Sequence, residues 1–193
     1  GDDACAVELL DGFVNLLPAG IDVDTQNRLS NLLDAYKRCE ADDRTGLGMF
    51  WLSSRLTDLA EPSESLYANV AWHVGLGEVD HLVSTGQLPA FRRGGPVVGE
   101  NDVRGQRGAY LVHTRMELAA GEQRTWSIVG DVEQDSADVV ALRDLLARPD
   151  ELAVLLEEDV RANREGLDRI LAAADGFQST GEELATAHHT ANV

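Results

Sequence analysis

The stretch AYLVHTRMELAAGEQRTWSIVGDV, Ala109 to Val132, carries the fold signal most plainly. Tyr110, Val112, Thr114, Met116 and Leu118 share one face of an extended chain, with His113, Arg115 and Glu117 on the other. Trp126, Ile128 and Val132 repeat the alternation. Between the two runs, AAGEQ supplies Gly121 for the positive φ of a short hairpin loop. The expectation is a β-hairpin, half exposed, within an antiparallel β body.

Working outward, ESLYANVAWHVGL (Glu64–Leu76) keeps the same period. Leu66, Ala68, Val70, Trp72, Val74 and Leu76 oppose Tyr67, Asn69, Ala71 and His73. GLGMFWLSSRLTD (Gly46–Asp58) is apolar on both faces, as in a strand covered on both sides. VELLDGFVNLLPAGI (Val7–Ile21) reads as a strand, a turn at Asp11-Gly12 and an extended piece interrupted by Pro18. The Gly- and Arg-rich residues 77–107 read as a long loop region. One helix is expected over 25–39 from an N-cap at Asp24, with Leu29, Leu32, Leu33 and Tyr36 inward and Asp34 paired with Arg38.

After Asp135 the period becomes helical. A helix over Ser136–Ala147 stops before Pro149, and a second spans Glu151–Ala174. Its apolar seam is Leu152, Leu156, Val160, Asn163, Leu167 and Ile170, with Glu157–Arg161 and Glu165–Arg169 on the wet face. The expected division is a β-sandwich over 1–134 and helices over 135–193. Thr180 and Glu183 have the form of a capping box, so the end reads as the opening of another helix. With the abrupt start at Gly1, this suggests a piece of a longer protein. A seam in need of cover favours a homo-oligomer formed through the C-terminal helices.

The 193 residues are 44% apolar and 26% charged, with a net charge of −18. Such a surface repels phosphate backbones and anionic lipid, so neither nucleic acid nor membrane is an expected partner. Cys5 and Cys39 lack metal or redox spacing and read as buried small hydrophobes, a usage leaning cytoplasmic.

Chemistry is sparse. GLGEVDHLVSTG (Gly75–Gly86) lacks the third glycine and the strand–helix context of a dinucleotide loop, and no phosphate-binding loop is present. His188 and His189 are adjacent and diverge on a helix, so one pair does not converge on a metal. Carboxylates are too abundant for any pair to stand out. Trp51, Trp72 and Trp126 could stack on sugar rings, but each lies among aliphatic residues, and core packing is the better reading. The candidate substrate contacts are His73, His113 and Trp72. No catalytic residue, metal site or cofactor is expected.

Five segments together resemble the glycoside phosphorylases typified by cellobiose and chitobiose phosphorylases. They are LLDGFVNLLPAG, NLLDAYKRCE, TGLGMFWLSS, RGAYLVHTRMELAAGEQRTWSIVGDVEQD and ATAHHTANV. The resemblance implies a mainly β chain with α: an N-terminal antiparallel super-sandwich, similar to galactose mutarotase, then linker helices leading to an α/α barrel. ATAHHTANV resembles the start of that barrel, where the family keeps its general acid. The function implied is a non-catalytic domain of a carbohydrate-active enzyme that shapes the sugar site and supports assembly. A mutarotase-type aldose epimerase, using His and Glu as acid and base, is an alternative. A binding or interaction module with no sugar role is another.

Overall fold

The computed structural model describes residues 1–56, 63–174, 181, 182 and 184. The Thr180–Glu183 cap and His188–His189 lie outside the described residues. The chain forms two compact units, Gly1–Pro149 and Asp150–Val193.

The first unit holds two antiparallel sheets. The smaller has β1 (Cys5–Leu16), β7 (Gly108–Leu118) and β5 (Asp80–Ser84), with β7 in the centre. The larger runs in the order β6 (Asp102–Arg104), β2 (Lys37–Ala41), β3 (Gly48–Leu52), β4 (Ala68–Val74) and β8 (Ser127–Gln134). The expected hairpin does not form: β7 and β8 belong to different sheets. A turn does sit at the expected place, with Gly121 at φ 74° and the Glu122 N–H donating to the Ala119 carbonyl at 3.0 Å. Beyond it, however, the chain crosses to the other sheet. β1 pairs along β7 from Cys5↔Leu118 to Leu16↔Gly108, and β8 pairs with β4.

β1 also lacks the turn expected at Asp11-Gly12; it runs straight through. Gly12, at φ 150°, lies so close to β7 that a Cβ would sit 1.9 Å from the Tyr110 carbonyl oxygen. The missing side chain is what lets the two backbones stay paired. The irregularity falls instead at Asn15, φ 60°, where the register shifts between Val14 and Leu16. Asn tolerates that left-handed geometry better than most residues.

Residues 77–107 are no loop, since they contain β5, helix α3 (Leu88–Phe91) and β6. Their glycines and arginines mask short strands held from outside. The Glu100 carboxylate accepts from the Val83 and Ser84 N–H groups at 3.0 and 2.9 Å, tying the returning chain to β5.

The single helix expected over 25–39 is two, α1 (Val23–Arg28) and α2 (Ser30–Tyr36), meeting at Leu29. Asp22 is the N-cap rather than Asp24, accepting from the Thr25 N–H at 2.6 Å. From Lys37 the chain is already strand β2. Lys37 is buried, and its ammonium donates to the Gln26 side-chain oxygen and, at 2.7 Å, to Asp34. Asp34 therefore pairs with Lys37 and not with Arg38.

The shared core takes Cys39, Phe50 and Ala71 from the larger sheet and Val83, Tyr110 and Val112 from the smaller. Leu82, Ala109 and Leu111 make a second cluster on the outer face of the smaller sheet, with Leu10, Leu88 and Val97 packed against it. Cys39 is buried as expected; Cys5 is exposed, against expectation. Helix α4 (Ser136–Leu146) starts from a capping box of Asp135 and Asp138, and Arg143 reaches Asp42 at 3.6 Å. α5 spans Pro149–Ala174. No described helix is long and apolar enough to cross a membrane.

Candidate functional site

A cavity of about 660 Å³ opens at one end of the larger sheet. Five separate segments line it: Ala19–Ile21 after β1, Thr25 and Leu29 at the first helices, Leu52 with Arg55 and Leu56 at the end of β3, Glu64–Tyr67 before β4, and Glu133 of β8. Leu52 is buried; Tyr67, half exposed, presents an aromatic ring, and Arg55, Glu64 and Glu133 bring charge of both signs. Asn69 braces the wall. Its amide donates to the Leu17 carbonyl at 2.9 Å and accepts from the Glu133 N–H at 3.0 Å. Glu133 sits at φ 55°, where the pairing of β8 with β4 shifts register. That bulge also turns Val132 outward, 63% exposed, off the apolar face that its spacing had suggested.

The three candidate contacts named from sequence are not brought together. Trp72 and His73 point to opposite sides of β4. Trp72 is buried, with its indole N–H lacking a hydrogen-bond partner among the described residues. Trp51 and Trp126 are partly buried, their N–H groups donating to Glu40 at 3.2 Å and Asp11 at 2.8 Å.

His73 faces the space between the sheets. Its Nδ1 lies 3.2 Å from the Tyr110 hydroxyl and 3.3 Å from His81 Nε2. The Tyr110 hydroxyl donates to the Gly46 carbonyl at 3.0 Å. Its oxygen is then an acceptor for His73 Nδ1–H, leaving His81 Nε2 as the bare nitrogen of a ring protonated at Nδ1. The His81 ring is thereby neutral. Burial pushes the His73 imidazole down to about 4, with the neighbouring His81 adding to it; burial also lowers His81, against the pull of Asp80. Tyr110 is pushed up by burial alone.

This pair makes stability pH-dependent with a definite sign. Above pH 6.5 the rings are neutral in folded and unfolded chain alike, and the contribution is fully present. As pH falls from 6.5 toward 4 the unfolded chain takes up a proton that folded His73 refuses, so stability is lost. Solvent reaching the ring reduces the effect to about 1–2 kcal/mol. Urea unfolding at pH 7 and pH 5 should show this loss while the His73 ring resonances at pH 5 stay neutral. A ring titrating at its ordinary value would defeat the assignment.

His113, expected on the half-exposed side, is 7% exposed. It lies on the outer face of the smaller sheet, between Asp80 Oδ2 at 3.1 Å and Glu8 Oε1 at 2.9 Å, with the Phe91 ring edge-on. Glu8 also accepts from Arg115 at 2.9 Å, and His113 followed by Arg115 holds its carboxyl below the usual range. The strand register puts Asp80 directly opposite His113.

His81 and the cavity residues escaped the reading of the sequence. His81 sits in a segment whose composition reads as loop, and the cavity is assembled from pieces far apart in the chain. Leu66 and Tyr67, on an alternating strand pattern, and Leu29, at helical spacing, carried local signals, but none that joined them. Among the described residues no group of three or more His, Cys, Asp or Glu side chains could hold a metal. No protein-family model matches the chain, and no curated protein matches it in sequence. The likeness to glycoside phosphorylases rests on the five segments quoted above.

Proposed function

We propose that this chain is the non-catalytic β domain of a cytoplasmic carbohydrate-active enzyme of the glycoside phosphorylase or hydrolase type. Its sheets form a super-sandwich of galactose-mutarotase type, and α4 and α5 are the linkers toward an α/α barrel of the same protein. The observation that carries this reading is the cavity at Tyr67. An exposed aromatic ring beside Arg55, Glu64 and Glu133 offers a stacking face together with donors and acceptors for sugar hydroxyls. Neither His73 nor His113 is part of it; His113 spends both ring nitrogens on carboxylates, and His73 Nδ1 is held by Tyr110 and His81.

Titrating the chain with cellobiose and with chitobiose, followed by amide chemical shifts, tests the proposal. Shifts should gather at Ala19–Ile21, Tyr67 and Glu133, and Tyr67→Ala should weaken binding about tenfold, the worth of one stacked ring. Saturating sugar with no shifts there would remove the carbohydrate reading and leave an interaction module.

The epimerase reading draws on one contact, His113 against Glu8 at 2.9 Å, an imidazole and a carboxylate on one sheet face. Polarimetry on glucose and galactose separates it: mutarotation above buffer, lost in His113→Asn, would favour the epimerase over the accessory domain.

A further inference from the structure

Helix α5 leaves its seam uncovered beyond the first turns: Val160, Leu167 and Ile170 are 53%, 55% and 67% exposed, while Leu152 is buried. The geometry points to a second copy of α5 as the occupant, packed antiparallel, an inference that does not depend on the sugar reading. Two features of the helix select that partner.

The first is charge. From Asp150 to Asp159 the helix carries five acids and no base, whereas from Arg161 to Ala174 it has three arginines against two acids. A parallel pair would set the acidic halves side by side. An antiparallel pair sets each acidic half against the basic half of its partner and also opposes the two helix dipoles.

The second is register. Leu156, Val160, Asn163, Leu167 and Ile170 step by four and three, the spacing of a coiled-coil seam. In the antiparallel alignment Leu156 meets Leu167 of the second copy, Val160 meets Asn163, and Ala153 meets Ile170. The flanking positions then place Glu157 beside Arg164 of the other helix, twice by symmetry. Charge pairing and apolar layering thus call for one and the same alignment. Over 26 residues the paired helices would run about 39 Å.

The chain's −18 net charge opposes association at low salt, so the measurement belongs near physiological ionic strength, where repulsion beyond about 8 Å is damped. Sedimentation equilibrium of the full chain should give a dimer. Leu167→Asp, which puts a charge in the seam, should give a monomer. Glu157→Arg alone and Arg164→Glu alone should each weaken the dimer about tenfold, and the double swap should restore it. All these positions are on the helix surface, so far-UV circular dichroism should be unchanged.

A monomer at every concentration would overturn the proposal. So would a dimer indifferent to Leu167→Asp. A parallel pair would place Arg164 near Asp159, leave Glu157→Arg without effect and fail to recover in the double swap; that pattern would overturn the antiparallel arrangement.

Discussion

Gly12→Ala should cost the first unit about 3 kcal/mol or more, lowering its melting temperature by roughly 10 °C. The atom that the new Cβ would meet, at 1.9 Å, is the Tyr110 carbonyl oxygen, with the Leu111 Cα at 2.9 Å. Both are backbone in the central strand of the smaller sheet, so no rotamer change relieves the clash. Relief requires β1 to lift from β7 around the Gly12↔Leu111 pair, in the middle of the pairing that joins them. The φ of 150° adds strain for any residue with a side chain. Gly20 provides the control. It too has positive φ, 75°, but nothing lies within 4 Å of its Cβ position, so Gly20→Ala should cost only about 1 kcal/mol. Thermal unfolding of the two variants decides the matter, and equal losses would show that contact with β7 is not what Gly12 is for.

Tyr110→Ala should be comparably severe, about 3–5 kcal/mol, because it empties the middle of the core shared by the two sheets. Tyr110 is fully buried, packed with Phe50, Val83 and Val112 and close against Gly48. Tyr110→Phe keeps the ring and removes only the hydroxyl. It leaves the Gly46 carbonyl without its donor and His73 Nδ1 with His81 as its remaining neighbour, for a loss of about 1–2 kcal/mol. Denaturant unfolding separates packing from hydrogen bonding by the gap between the variants. The Phe variant should also shift the His73 ring resonances, a change that loss of packing elsewhere in the core would not produce. If the two variants cost the same, the hydroxyl network and not the ring would dominate.

The sequence by itself determined the elements whose evidence is local. The alternation over 68–74 and 108–118 is strand in the structure, and the capped periodic segment after Asp135 is helix. Even the glycine turn at 121 is where the residues place it. What it could not determine was partnership. β7 pairs with β1, about a hundred residues away, and β8 with β4, because strand edges are contested across the whole chain while a turn signal sees only its own neighbours. Gly12 reads locally as a turn residue, yet its use is the close approach of a strand remote in sequence. His113 reads as an outward residue, but Asp80 and Glu8 from the two flanking strands close over it. The cavity at Tyr67 shows the same limit: Ala19–Ile21, Arg55 and Glu133 share no spacing that could announce it, and only the folded chain gathers them around one space. Periodicity and capping are properties of a few consecutive residues; pairing, burial and cavities arise from contacts between segments, and there the tertiary structure decided.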